Sequence, residues 1–218
     1  MTTVKEKPAV RPRGRPRAFD RDEALAKAAL TFWQLGYEGT SIADLTNAMG
    51  ITPQSLYAAF RSKAELCREA LLRYRMNEAA FTARALEEEP TAGAAFGRLL
   101  REAAHEYARA DRPRGCMLST GIVTCASENG EIADHATKLR AQVLAGFKAR
   151  IERGKVEGDL KPETDAAALA RFLQAVVQGM SLQARDGASE AELLGIAMLA
   201  TEELARHRRE TGVGVSTR

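Results

Sequence analysis

Apolar positions recur at helical spacing along most of the chain, and no segment alternates apolar and polar residues with a period of two. The pattern therefore predicts an all-α fold of about nine helices. Leu25, Ala28, Ala29, Phe32 and Leu35 form the first stripe. Asp20, with Glu23 three residues on, caps its start, and Gly36 stops it. Ile42, Leu45 and Met49 mark a short second helix, opened by Thr40 or Ser41 and closed by Gly50. Thr52-Pro53 is a cap followed by a first-turn proline. It opens a third helix of about two turns with Leu56 and Phe60 on its buried side. Ser62 and Glu65 form a further capping box, and a long helix is expected over residues 63–89. Helices then follow to about residue 110, over 116–129, 131–155, 163–185 and 189–208. Breaks fall at residues 111–115 and 154–162.

Residues 41–60 place two short helices around a glycine-containing turn, the helix-turn-helix arrangement. The third helix buries little. Its other side carries Gln54, Ser55, Ala58 and Ala59, small or amide-bearing residues that let a helix enter the major groove. Gln54 can bond an adenine edge, Ser55 can serve several bases, and alanine methyls can touch thymine. Thr40, Ser41, Thr52, Pro53, Tyr57 and Lys63 surround that helix with hydroxyls, an ammonium and helix N-termini suited to phosphate. Lys63 opens a helix, where a cation opposes the dipole. A phosphate partner removes that conflict.

Composition narrows the classes. The 218 residues are 45% hydrophobic and 28% charged, as in a soluble globular chain. No apolar run is long enough for a membrane span. The start, MTTVKEKPAV, lacks the apolar core of a secretory signal. Three cysteines do not make a disulfide framework and suit a reducing cytosol. A cytoplasmic protein is therefore expected, nucleoid-associated if its partner is DNA. The net charge is only +3, yet residues 1–19 hold six Lys or Arg against Glu6, a net +5, which leaves −2 for the rest. This Pro-rich arm has no helical period and is expected to be disordered. Its partner should be a polyanion. DNA is the first reading, and a basic-armed RNA or membrane adaptor without sequence-specific DNA binding is the alternative of another class. No nucleophile–base pair, P-loop or dinucleotide fingerprint points to an enzyme. The three histidines, His105, His135 and His207, are scattered, so neither metal nor cofactor is expected.

The run FWQLGYEGTSIADLTNAMGITPQSLYAAFRSKAEL, from Phe32 to Leu66, resembles the N-terminal domain of the TetR/AcrR family of bacterial transcription regulators. Arg13-Gly14-Arg15-Pro16-Arg17 resembles the family's arm motif. The resemblance implies that Tyr57, Lys63, Thr40 and Ser41 meet phosphates, that Gln54, Ser55 and Ala59 face bases, and that Arg13, Arg15 and Arg17 enter a minor groove. It also implies a basic arm over 1–19, a DNA-binding domain over 20–68, a ligand-binding and dimerisation domain over 69–209, and a tail over 210–218. The expected protein is a homodimeric repressor, released from a near-palindromic double-stranded operator by a small-molecule effector.

Two features of the C-terminal part bear on that expectation. Between Ala166 and Ala184 the only charge is Arg171, and there is none from Leu193 to Thr201. Helices apolar nearly all round are buried on more than one side. Small side chains permit close helix contact, so Ala166, Ala170, Val177, Ser181, Leu193, Ala197 and Ala200 are the expected subunit interface. Burial of both faces inside one subunit is the alternative. Candidate pocket residues are Met76, Phe81, Phe96, Tyr107, Cys116, Met117, Phe147 and Phe172, most of which would also serve as ordinary core. The run PRGCMLSTGIVTCASE resembles a family subgroup in which a Gly-Cys at this place answers electrophiles or oxidants. Arg112, Arg114 and a helix N-terminus would favour the Cys116 thiolate. Cys125, nine residues on, would lie about 13 Å along the same helix, too far for a bridge. Cys67 is expected to be packing.

Overall fold

The computed structural model describes residues 19–123 and 125–209. The basic arm, with Arg13, Arg15 and Arg17, and the 210–218 tail lie outside the described residues. The described residues form nine helices of eight residues or more, one single α-turn and one 3-10 turn (Ser127–Asn129), with no β-strand among them. The helices are α1 (Arg21–Gly39), α2 (Ile42–Met49), α3 (Pro53–Phe60), α4 (Lys63–Met76), α5 (Ala80–Glu88), α6 (Ala92–Ala108), the single turn α7 (Met117–Thr120), α8 (Gly130–Glu157), α9 (Ala166–Arg185) and α10 (Glu190–Ala205).

Local chemistry explains most boundaries. Asp20 accepts the Asp22 and Glu23 N–H groups at the start of α1. Gly36 leaves helical geometry at φ 74°, as its stop role requires, and one further turn follows. Gly50 takes the left-handed conformation after α2. α2 and α4 pack on α1, and α3 packs on α2 and α4. Leu45, Leu56, Phe60 and Leu66 are fully buried there. Trp33 of α1 meets Tyr74 of α4 edge-on at 4.9 Å, which seats the small domain on the larger one. In the larger domain α6, α8, α9 and α10 pack together, with Phe96 and Phe147 edge-to-face at 5.3 Å.

Two expected helices differ. The one over 63–89 is broken at Asn77, whose side chain donates to the Arg73 carbonyl at 2.9 Å. An asparagine bonding locally competes with the helix ladder. The one over 116–129 is a single turn. Here the Cys116 N–H goes to the Ser181 hydroxyl at 2.8 Å and the Gly121 carbonyl to the Tyr37 N–H at 2.9 Å. Tertiary partners have replaced the helical ones.

Candidate nucleic-acid interface and ligand cavity

The helix-turn-helix is capped at each joint. Ser41 and Asp44 form a full capping box, the Ser41 N–H meeting the carboxylate at 2.8 Å and the Asp44 N–H meeting the hydroxyl at 3.1 Å. The Ser41 hydroxyl, which donates to the carboxylate at 2.6 Å, and then the Ser41 N–H hold the Asp44 carboxyl below the usual carboxylate range. The Thr52 hydroxyl accepts the Ser55 N–H at 3.2 Å and pairs with the Ser55 hydroxyl at 3.0 Å. Pro53 fills the first turn of α3. With Leu56 and Phe60 anchored below, Gln54, Tyr57 and Ala58 stand outward, and Ser55 and Ala59 are half-buried at the sides. Tyr57 is 48% exposed. It is therefore not a core aromatic.

Arg61 joins α3 to α4 at φ 67°, and the Ser62 N–H donates back to the Phe60 carbonyl at 2.7 Å. This tight γ-turn is strained for a residue with a side chain. Arg61 is exposed at the end of α3. No composition or spacing signal announces it. Lys63, at the first position of α4, holds its ammonium 4.3 Å above the Tyr37 ring. The aromatic face supports the cation where the dipole does not. Thr40 is a correction: it is 1% exposed, and its hydroxyl donates to the Gly36 carbonyl at 2.6 Å. It closes the turn between α1 and α2 and does not face outward.

A cavity of about 200 Å³ lies between α4, α5, α6, α8, α9 and the α7 turn. Tyr74, Leu86, Tyr107, Val143, Phe147 and Val177 form its apolar wall, and Cys116, Ser119, Arg140, Gln174 and Gln178 its polar one. Of the expected pocket residues, Tyr107, Cys116 and Phe147 line it. Phe96 packs behind Phe147, Phe81 packs against Tyr107, and Met117 is buried in the core. Met76 and Phe172 are corrections. The break at Asn77 turns Met76 out to 78% exposure, and Phe172 sits on the outer face of α9. Arg140 escaped the sequence reading, although Arg140, Val143 and Phe147 share one face of α8 by spacing.

Cys116 is 7% exposed, with the Tyr74 and Tyr107 phenols against its thiol. Its expected arginine neighbours point elsewhere. Arg112 pairs with Glu106, and Arg114 donates to the Ala188 carbonyl at 2.6 Å. The cations on its cavity wall are Arg75 and Arg140. Cys125 does not share a helix with Cys116, so the helical separation expected for them does not apply. Burial pushes the Cys67 thiol up to about 12, as suits a packing residue.

The expected subunit interface is also corrected. Ala166, Ala170, Ser181, Leu193, Ala197 and Ala200 are all buried within one subunit, and Val177 lines the cavity. Their small size serves internal contact: a Cβ on Gly115 would stand 2.5 Å from the Ser181 carbonyl oxygen. The same two helices turn Phe172, Leu182, Met198 and Leu199 outward, the last 68% exposed.

The end of α1 is bonded to the segment leaving the cavity wall. Tyr37 N–H reaches the Gly121 carbonyl, and the Glu38 carboxylate accepts the Ala126 N–H at 2.8 Å and the Asn129 amide at 2.9 Å. These bonds hold the Glu38 carboxyl below its usual range. Arg185 of α9 adds a bond to the Thr120 hydroxyl at 3.2 Å.

Known proteins match both parts. A model of bacterial regulatory proteins of the tetR family matches residues 24–70, and a tetracyclin repressor-like C-terminal domain model matches residues 96–193. The chain is 38% identical to the HTH-type transcriptional repressor ComR of Escherichia coli (strain K12), over 85% of this chain and 89% of that protein. It is 31% identical to the HTH-type transcriptional repressor BdcR of the same strain, over 88% and 92%. Among solved structures, a cysteine-substituted form of the regulator CifR, complexed with 26-base-pair operator DNA, is 40% identical. It superposes with a TM-score of 0.84 over 87% of this chain and 98% of its own. Among the described residues no helix is long and apolar enough to cross a membrane.

Proposed function

Because the chain belongs to the TetR family of bacterial regulatory proteins, which are DNA-binding transcription regulators and not enzymes, we propose that it is a homodimeric repressor released from its operator by a small effector. The observation that carries the DNA reading is the outward face of α3. Gln54, Ser55, Tyr57 and Ala59 are presented from an anchored helix, beside Ser41, Thr52, Pro53, Arg61 and Lys63. In a two-fold dimer α3 and its copy would read successive major grooves. The four outward apolar residues of α9 and α10 are the surface for that dimer, replacing the small-residue set. An effector in the cavity would act on residues 116–121, and through Gly121 on α1. It must favour the state that does not bind DNA, or it shifts nothing.

Cys116 supports a second reading, a repressor that senses electrophiles, since its thiol lines the cavity. Cys116→Ser would then abolish release by an alkylating agent while keeping operator affinity.

The test begins with selection of bound duplexes from a random pool. On the selected operator, Lys63→Ala should weaken binding to all duplexes alike and lower the salt slope by about 1. Gln54→Ala should cost about 1–3 kcal/mol at one base pair and leave binding to random duplex unchanged. Identical retention on operator and random duplex would overturn the sequence-reading role and favour the adaptor.

A further inference from the structure

The charge on the cavity wall identifies the class of effector. Among the lining residues are two arginines, Arg75 and Arg140, and no Asp, Glu, Lys or His. Both guanidiniums meet only neutral oxygens. Arg75 donates to the Gln142 amide oxygen at 2.7 Å. Arg140 Nη1 donates to the Leu118 and Ile122 carbonyls at 3.3 and 3.2 Å, and its Nη2 to the Thr137 hydroxyl at 3.0 Å. That leaves the Nε–H and one Nη2 hydrogen of Arg140 without an acceptor among the described residues. Burial works against this cation, and no carboxylate offsets it.

A cationic ligand would meet no opposite charge in such a site. Two free donors match one carboxylate, which a guanidinium holds with charge-assisted bonds. The rest of the wall is mixed, and Leu86, Val143 and Phe147 offer apolar contact to the body of a ligand held at Arg140, the last two from the same face of α8. A volume of about 200 Å³ is little more than the roughly 150 Å³ that encloses benzene. The body of the ligand is therefore one ring or a short branched chain. Ser119, Arg140 and Gln178 also line the surface groove that holds Val123 and Leu182. The charged end of the cavity is thus the end adjoining solvent.

We propose that the cavity binds a small monocarboxylate, its acid group at Arg140 and its apolar body against Val143 and Phe147. The proposal rests on the reading of this cavity as the effector site. Arg140 already holds the Leu118 and Ile122 carbonyls, so an acid at its free edge meets a guanidinium bonded to the segment that reaches α1.

The experiment titrates the full-length protein with benzoate, phenylacetate and isovalerate, and with the matched alcohols benzyl alcohol, 2-phenylethanol and 3-methyl-1-butanol. Binding is read by calorimetry without DNA, and operator release separately by anisotropy. At least one acid should bind on the order of tenfold or more tighter than its alcohol. Arg140→Gln should remove that preference. If the variant does not fold, the wild-type ratio decides alone. Equal binding of acid and alcohol, or no binding by any acid, overturns the proposal. An acid that binds with the expected preference but releases no operator supports the site and overturns the release reading. Release by the alcohols with no acid preference does the reverse.

Discussion

α3 and α9 are both helices whose sequence suggested a surface for a partner, and they behave differently. α3 is short and amphipathic, with Leu56 and Phe60 inward and Gln54 and Tyr57 outward. α9 is apolar nearly all round, and size does not sort its sides. Ala166, Ala170 and Ser181 lie inside the subunit together with Leu169, Leu173 and Met180, while Phe172 and Leu182 stand outside together with Ala167 and Ala168. Polarity separates the sides of a helix because a buried polar group is costly. Size does not, because a small residue marks a close approach without saying which chain approaches.

The sharpest way to break this comparison is to charge the outer face and overfill the inner one. Leu199→Glu should convert the proposed dimer to a folded monomer and lower operator affinity on the order of 100-fold. Ser181→Leu should leave assembly alone and cost about 1–3 kcal/mol of stability, because the Gly115 backbone lies against that site. Sedimentation and thermal melting separate the two. A dimeric Leu199→Glu protein would return the interface to another surface. A smaller effect sharpens the α3 side. Thr40→Val should cost about 1 kcal/mol for the lost bond to Gly36 and leave the salt slope of operator binding unchanged. A slope lowered by about 1 would restore Thr40 as a phosphate contact.

The smallest effect concerns the junction between the two regions. The Glu38 carboxyl is held below its usual range, first by the Ala126 N–H and then by the Asn129 amide. Its stabilising contribution is therefore full above the ordinary carboxylate pKa and is lost as pH falls through the lowered folded value. A melting-temperature profile of Glu38→Gln should be flatter than wild type in that acid window and offset at neutral pH. Parallel profiles would remove Glu38 from the junction.

Legibility followed the same division. Caps, the left-handed Gly50 and the turn spacing are local signals, and they placed α1, α2 and α3 from residues alone. The break at Asn77 and the single turn after Cys116 depend on competing bonds, one of them to Ser181, 65 positions away. Thr40 misled because a hydroxyl suits a phosphate and a neighbouring carbonyl equally well. The cavity was legible where rings are large, at Tyr107 and Phe147. It was not at Arg140, whose place in the wall depends on the elements packed around α8.

Gly36 has φ 74°, and a Cβ there would come within 3.2 Å of the Gly121 oxygen, the same atom that accepts the Tyr37 N–H. The junction at this point is peptide against peptide, with no side chain between. Side chains can absorb a displacement by changing rotamer, and backbone cannot. The contact between the α7 turn and α1 therefore has little side-chain slack: a shift of Gly121 is passed to the α1 backbone or lengthens the Tyr37 bond.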